Sequence, residues 1–437
     1  MGLKASYNFE NGLVIPNLYL RGGFMMKGLD KNYWRYWIAS AASQSASNVL
    51  QYVVSLYVLE ITGSATLFAS MLSIIIFPRL ALTPISGVIA DRVKKIRLMS
   101  WIVLGEAIAL GFYCVLAQMC SVNVFMIFIL VILLEVGEVF YAGPAAAIIP
   151  ELVEGSKLKD AIVISKVDDG IVVVAAPMIA AFLYENLSLS WAFGVVCILN
   201  FMAFLLQRRI QPKYEVKQEK AKKKSSYIAD FREGIKVIQN DGFLRNFMKV
   251  LPVVNAFFGA TFSVSIMYLL REVYGLSAYM YGLYCTITAS MSMVSPLIVA
   301  PFVKKYPASK VFATVTMLIA IEIAGIGVFA FCGVNGVMPV FVSVIGITFL
   351  DCLTILAAIP MQMSGSILLQ TNIKKELLGR VSSVIQMVSI AAVAAGEMLF
   401  GCLNDVINVW IPILIGAVGV GVASVLYRIT LKNVEKG

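Results

Sequence analysis

Eight carboxylates fall inside or at the ends of long apolar runs: Glu106, Glu135, Glu138, Asp168, Asp169, Glu322, Asp351 and Glu397. An ionised acid at mid-bilayer costs about 2.5–3.5 kcal/mol on insertion scales, so each is a functional candidate by default. A carboxyl group held away from water can take up and release a proton near neutral pH, and it can pair with a cation. Glu135 and Glu138 are three residues apart and share one face of a helix. The sequence has no histidine, so any proton relay must use carboxylates and His-ligated metal chemistry is excluded. Seven cysteines are scattered without CxxC spacing, a pattern of packing residues rather than a disulfide framework or a metal site. Arg79 is the sole basic residue within a run. An ion pair with one of the acids is its expected use, ahead of substrate binding.

The elements that hold these groups are readable from composition. Of 437 residues 60% are hydrophobic and 14% charged, with mean hydropathy +0.87, against about 25% charged in soluble proteins. Repeated apolar runs of about 20 residues, each able to cross the hydrocarbon core, make an all-α polytopic membrane protein. The spans read as 34–59, 64–86, 98–119, 122–149, 161–185, 187–207, 246–270, 276–300, 310–332, 336–362, 380–403 and 406–427. With twelve spans, 33 of the 35 Lys and Arg residues fall on one side, which the positive-inside rule makes the cytoplasm. Both termini are then cytoplasmic, in a cell inner (plasma) membrane. The net charge of +10 is explained by this placement and not by nucleic acid. The organisation is a tail at 1–30, a six-helix bundle at 31–207, a basic linker at 208–245, a second bundle at 246–428 and a tail at 429–437. In the linker, Ile228, Phe231, Ile235 and Ile238 recur at helical spacing, an amphipathic helix suited to the cytoplasmic membrane face or to a solvated linker. Met1 to Ser6 fit a myristoylation pattern by coincidence. Arg21-Gly22-Gly23 can be encoded by a ribosome-binding sequence, which points to a bacterial start at Met25 or Met26.

An internal repeat follows from six spans, a linker and six more. Placing Ala300 on Gly87 gives an offset of 213 residues, which brings Asp351 onto Glu138 and Lys304-Lys305 onto Asp91-Arg92. The loop Gly87-x-x-x-Asp91-Arg92-x-x-Lys95, followed by Arg97, resembles the signature of the major facilitator superfamily. Gly143 to Leu152, Asp230 to Ile235 and Leu378-Gly379-Arg380-Val381 are similar to stretches of its macrolide-efflux and enterobactin-exporter-like branch. Two departures stand out: the second-half loop lacks the Asp-Arg pair, and span five carries Ala175-Ala176-Pro177 where drug antiporters of the superfamily often have Gly-Pro.

The resemblance implies two six-helix bundles around a cavity that opens alternately to either side. Spans one, four, seven and ten would line it; three, six, nine and twelve would face outward. Asp91 would sit at the positive end of span eleven, near Gly379-Arg380, latching the halves in the outward-open state. Arg92, Lys95 and Arg97 would pair with acids such as Glu151 or with lipid phosphates. Glu135, Glu138 and Asp351, facing one another across the pseudo-twofold axis, are the first choices for proton coupling or for binding a cation. Asp168 and Asp169 are secondary. Glu106 and Glu322, on outward-facing spans, read as packing partners. Gln44, Asn48 and Gln51 form one polar stripe at i, i+4, i+7. With Tyr52, Asn255 and Phe258 they make the expected substrate path. No phosphate-cradling loop or nucleophile constellation is present, so an ion gradient and not ATP would drive transport. The reading is a monomeric exporter of a small amphipathic organic compound, coupled to protons, without a cofactor. An importer, a siderophore exporter or lipid flippase of the same fold, and a non-transporting sensor or scaffold stand as alternatives.

Overall fold

The computed structural model describes residues 29–120, 122–213, 227–373 and 375–434. Within them the side chains at 84, 87, 88, 90–92, 227–230, 304, 375, 376 and 430–434 fall outside the description. The described chain is helical: α1 Lys31–Thr62, α2 Ala65–Ile74, α3 Ile76–Arg92, α4 Lys95–Met119, α5 Val124–Leu152, α6 Leu158–Asn186, α7 Leu189–Gln207, α8 Tyr227–Asn240, α9 Gly242–Ala260, α10 Ala278–Lys305, α11 Ala308–Val334, α12 Val340–Asn372, α13 Lys375–Val406 and α14 Trp410–Val434. Beyond α9 the same rod continues through two π-helical turns, Thr261–Ser265 and Leu269–Val273. Among the described residues, eleven helical stretches are long and apolar enough to cross a bilayer. The long helix outside that set is α1, whose Gln44, Asn48 and Gln51 dilute its apolar character. Together they make a multi-pass membrane protein.

Local chemistry sets the boundaries. Ser64, Asn123, Asp241 and Ser277 each accept a hydrogen bond from the backbone N–H three residues on, capping the helices they precede. Gly63 closes α1 in the left-handed region at φ 58°, where a side chain would be strained. The second span is broken at Ile75, between α2 and α3. Pro78 has no N–H to give the carbonyl of Ile74, which interrupts the ladder there. The 213-residue offset also matches the helix boundaries: the two-part span 65–92 falls on α10, Ala278–Lys305, and the start of α4 at Lys95 falls on that of α11 at Ala308.

One apolar core runs through both halves, from Val53 and Leu110 to Phe312 and Ile413. A second gathers Tyr33, Met99 and Ile148 at the basic end of the first half. There the chain leaving α7 is tied back to α1: Asn32 donates to the carbonyl of Gln211 at 2.8 Å, and Lys213 meets Asp30 at 2.7 Å. The hydrogen bond from Lys213 holds the Asp30 carboxyl below the usual carboxylate range. The linker helix α8 departs from its expected place on the membrane. Its apolar residues Phe231, Ile235 and Ile238 pack on Val381, Val384 and Ile385 of α13, and Glu233 accepts from Arg380 at 2.6 Å. The stripe that reads as lipid-seeking is covered by protein.

Candidate substrate cavity

A cavity of about 770 Å³ opens inside the first half, and every residue that lines it precedes the linker. The polar stripe of α1 forms one wall. Gln44 donates to Asp169 at 3.0 Å, Asn48 to the backbone of Gln44 at 2.9 Å, and Gln51 is exposed to the open space. Opposite stand Glu135 and Glu138 of α5, as their shared helical face requires, and α6 contributes Asp168 and Asp169. Apolar surface comes from Trp37, Leu72, Leu134 and Ile149.

Charge in this space is uneven. Five carboxylates (Glu106, Glu135, Glu138, Asp168 and Asp169) face two cations, Arg79 and Lys166. Arg79 clamps Glu135 with two hydrogen bonds, Nε to Oε1 and Nη2 to Oε2, the second at 3.3 Å. This is the ion pair expected of the lone basic residue in the spans. Lys166 pairs with Asp169 at 2.8 Å. Glu138 stands within electrostatic reach of Glu135, Arg79 and Glu106.

Glu106 corrects the reading that α4 only faces outward. Its side chain turns into the cavity, takes a hydrogen bond from Asn200 of α7 at 3.3 Å, and lies over Gly137. A Cβ on Gly137 would come within 2.6 Å of Glu106 Oε1. The glycine between Glu135 and Glu138 is the signal that could have revealed it: α5 is pared down there to admit a neighbour's carboxylate. Glu322 is buried beside Thr354 in the second half, away from this cavity.

Asp351 does not meet Glu135 and Glu138. It is buried inside the second half, 3% exposed, and Tyr284 of α10 donates to it. Neither Tyr52, which packs on the core, nor Asn255 nor Phe258 lines the cavity; Phe258 meets Phe262 in a tilted ring contact, centroids 4.8 Å apart. Of the loop motif, Lys95 pairs with Glu151, Arg97 is exposed, and the side chains of Gly87, Asp91 and Arg92 lie outside the described set.

Among the described residues, the hydrogen bonds that join the two halves lie at mid-depth or at the end opposite the basic loops. At mid-depth Glu397 of α13 accepts from Ser263 at 2.9 Å and from Ser73 of α2 at 3.4 Å. At that far end, Asp405 of α13 takes Ser64 Oγ at 2.7 Å and the N–H groups of Ala65 and Thr66 at 2.7 and 3.0 Å. It thereby caps α2 across the interface. Arg271 reaches Glu60 at 3.4 Å, and the N–H of Tyr279 donates to Glu185 at 2.9 Å. Gly282 lies against Pro177 and Ala181, and Gly401 against Ala65 and Ala69, so small residues let the helices close this end. Sequence reasoning singled out Glu397 without its partners and missed Asp405, since an acid near a loop reads as simply solvated.

This chain belongs to the Major Facilitator Superfamily, whose profile matches residues 36–397. It is a transporter by family. Over 154 residues it is 29% identical to Macrolide efflux protein A of Streptococcus pyogenes, an alignment covering 35% of this chain and 38% of that protein. Among solved structures, the nucleoside transporter NupG matches with TM-score 0.75 at 12% identity, over 92% of this chain and 100% of that one. A bacterial homologue of the iron transporter ferroportin matches at 0.69 in its inward-facing state (15% identity, 92% and 98% covered). In the outward-facing state such a homologue matches at 0.57 (16% identity, 92% and 100% covered). These likenesses are of fold.

Proposed function

We propose that this superfamily member is a secondary exporter of a lipophilic or amphipathic organic compound, driven by proton antiport through alternating access. The observation that carries the reading is the pairing of one sealed end with one roomy cavity. The halves are joined at the Asp405 end, and behind that closure lies about 770 Å³ lined by a polar stripe, apolar walls and carboxylates. A volume of that size suits a drug-sized molecule. With the basic loops in the cytoplasm of an inner membrane, this is the inward-open state, in keeping with the better fit to an inward-facing than to an outward-facing ferroportin homologue. Export is supported by the partial likeness to a macrolide efflux protein.

In this cycle Glu138 takes and releases the proton. It faces the open cavity and, unlike Glu135, is not clamped by Arg79. Asp351, its counterpart in the repeat, is the second proton site. The halves at 31–207 and 246–428 are the moving units of a monomer. Asp91 would latch α3 to the start of α13 once the cytoplasmic end closes.

Purified protein in vesicles with an imposed pH gradient tests this, using a radiolabelled macrolide and a lipophilic dye. Wild type should move one or both against the proton flow, and Glu138→Gln should abolish the dependence on the gradient. Transport indifferent to the gradient removes proton antiport; no movement of either compound removes the export reading.

A further inference from the structure

The deepest part of the cavity is unlike the rest. It reaches past α1 to α4 and α7, where Glu106 and Asn200 meet. Asn200 is 2% exposed. Its amide N–H₂ donates to Glu106, while its carbonyl oxygen Oδ1 has no partner among the described residues. An unpaired buried acceptor carries a desolvation cost that a donor from a ligand would relieve. Beside it stand Glu106 and Glu138, two carboxylates with no hydrogen-bonded cation; both cations of the cavity are engaged elsewhere, Arg79 with Glu135 and Lys166 with Asp169. Gly137 gives the Glu106 carboxylate its room against α5. The acceptors here are two carboxylates and an amide oxygen, and the donors beside them, the Asn200 N–H₂ and the Tyr141 hydroxyl, are neutral. No group of three or more metal-type ligands occurs among the described residues, so a dehydrated metal ion is poorly served.

We infer that Glu106, Glu138 and Asn200 form an ammonium subsite inside the first bundle, which takes the protonated amine of an amphipathic substrate while its apolar body lies along Trp37, Leu134 and Ile149. The carboxylates supply charge, and Asn200 Oδ1 accepts one N–H. This rests on the export reading for its substrate class, and it narrows that class to organic cations. Glu135 has no part in it, because its two oxygens are taken by Arg79.

Equilibrium binding to the full-length protein in detergent tests the subsite. The probes are tritiated tetraphenylphosphonium and two isosteres that compete with it, 1-adamantylammonium and the neutral 1-adamantanol. Tetraphenylphosphonium should bind; the amine should displace it and the alcohol should not. Glu106→Gln and Glu138→Gln should each weaken tetraphenylphosphonium about tenfold or more, since each removes a negative charge that faces the cation. Asn200→Leu should weaken the amine several-fold more than tetraphenylphosphonium, which has no N–H to donate. Glu322→Gln, an acid outside the cavity, should bind as wild type and elute as the same species in gel filtration. Displacement by the alcohol as effective as by the amine, wild-type affinity in Glu106→Gln, or absence of binding to wild type each overturns the subsite. Vesicles that export a neutral amphipath while these variants bind normally sink the subsite alone. Cation binding that depends on Glu106 in a protein that moves nothing sinks the export reading alone.

Discussion

Asp405→Ala should unfasten the closed end. In the structure the Asp405 carboxylate takes three donors of the α1–α2 corner: Ser64 Oγ, Ala65 N and Thr66 N. Counted as isolated charged hydrogen bonds, these would be worth several kcal/mol in sum. Asp405 is exposed, however, and water replaces most of what is lost. The relevant scales are those of a helix cap, about 0.5–2 kcal/mol, and of an anion at a helix N-terminus, about 0.3–1 kcal/mol. Together they give about 1–3 kcal/mol, a shift of roughly 5–150-fold between the two conformations. Spin labels at Leu187 and Val337, exposed positions on either half near this end, would report it, with Cys120 and Cys402 first replaced by Ser. Pulsed dipolar spectroscopy should show one distance population in wild type and a second, longer one in Asp405→Ala. Superimposable distributions, or a gain of the short distance, would refute the latch.

Three further outcomes are expected. Arg79→Gln strands Glu135, 8% exposed, as an unpaired charge; the cost should fall near the low end of about 3–5 kcal/mol because Arg79 itself is partly exposed. The double variant Arg79→Gln/Glu135→Gln should recover most of the melting temperature, and a double-mutant cycle without coupling would contradict the pair. Gly234→Ala would place a Cβ 2.8 Å from the backbone carbonyl oxygen of Arg380 and 2.9 Å from Val384 Cγ2. It should therefore lift α8 from α13 at a cost of about 1–3 kcal/mol, seen as faster hydrogen exchange across residues 227–240. Asp91→Asn should slow turnover in vesicles while leaving substrate affinity intact; lost binding at normal expression would count against its latching role.

Much of the frame was legible, and the reason is the bilayer. A solvent that forbids unpaired backbone polar groups turns hydropathy into topology, so the spans emerge with most ends displaced by a few residues and that of α12 by ten, at Asn372 rather than 362, where helices run past the apolar core. The polar stripe of α1 was legible too, because Gln44, Asn48 and Gln51 have no inexpensive place in lipid. The partners were not legible. Nothing in the sequence names Glu135 rather than Glu138 as the mate of Arg79, since both share a face and only the approach of α3 decides. Glu106 was hidden by the assumption that a peripheral span faces outward throughout its length. Asp405 was hidden by its exposure: its importance lies in the helix end opposite, 340 residues away from Ala65 in the chain.

The repeat explains why Asp351 stands apart from the first-half acids despite its matching position. Displaced by 213 residues, Met71 of α2 corresponds to Tyr284 of α10, and Phe68 to Tyr281. Met71 lines the first-half cavity as an unbranched, adaptable side chain. Tyr284 instead fills the equivalent place with a ring whose hydroxyl donates directly to Asp351, and Tyr281 stacks on it at 6.0 Å. One half thus keeps its acid facing open space and the other plugs it with a phenol. A buried carboxylate whose one oxygen is satisfied by Tyr284 and whose other has no partner among the described residues is held by its own bundle. Any exchange with water through Asp351 requires α10 and α12 to part, whereas Glu138 is already in contact with the cavity. The two halves share a backbone plan, and tyrosines at 281 and 284 accompany the burial of Asp351 in the second where the first has Phe68 and Met71.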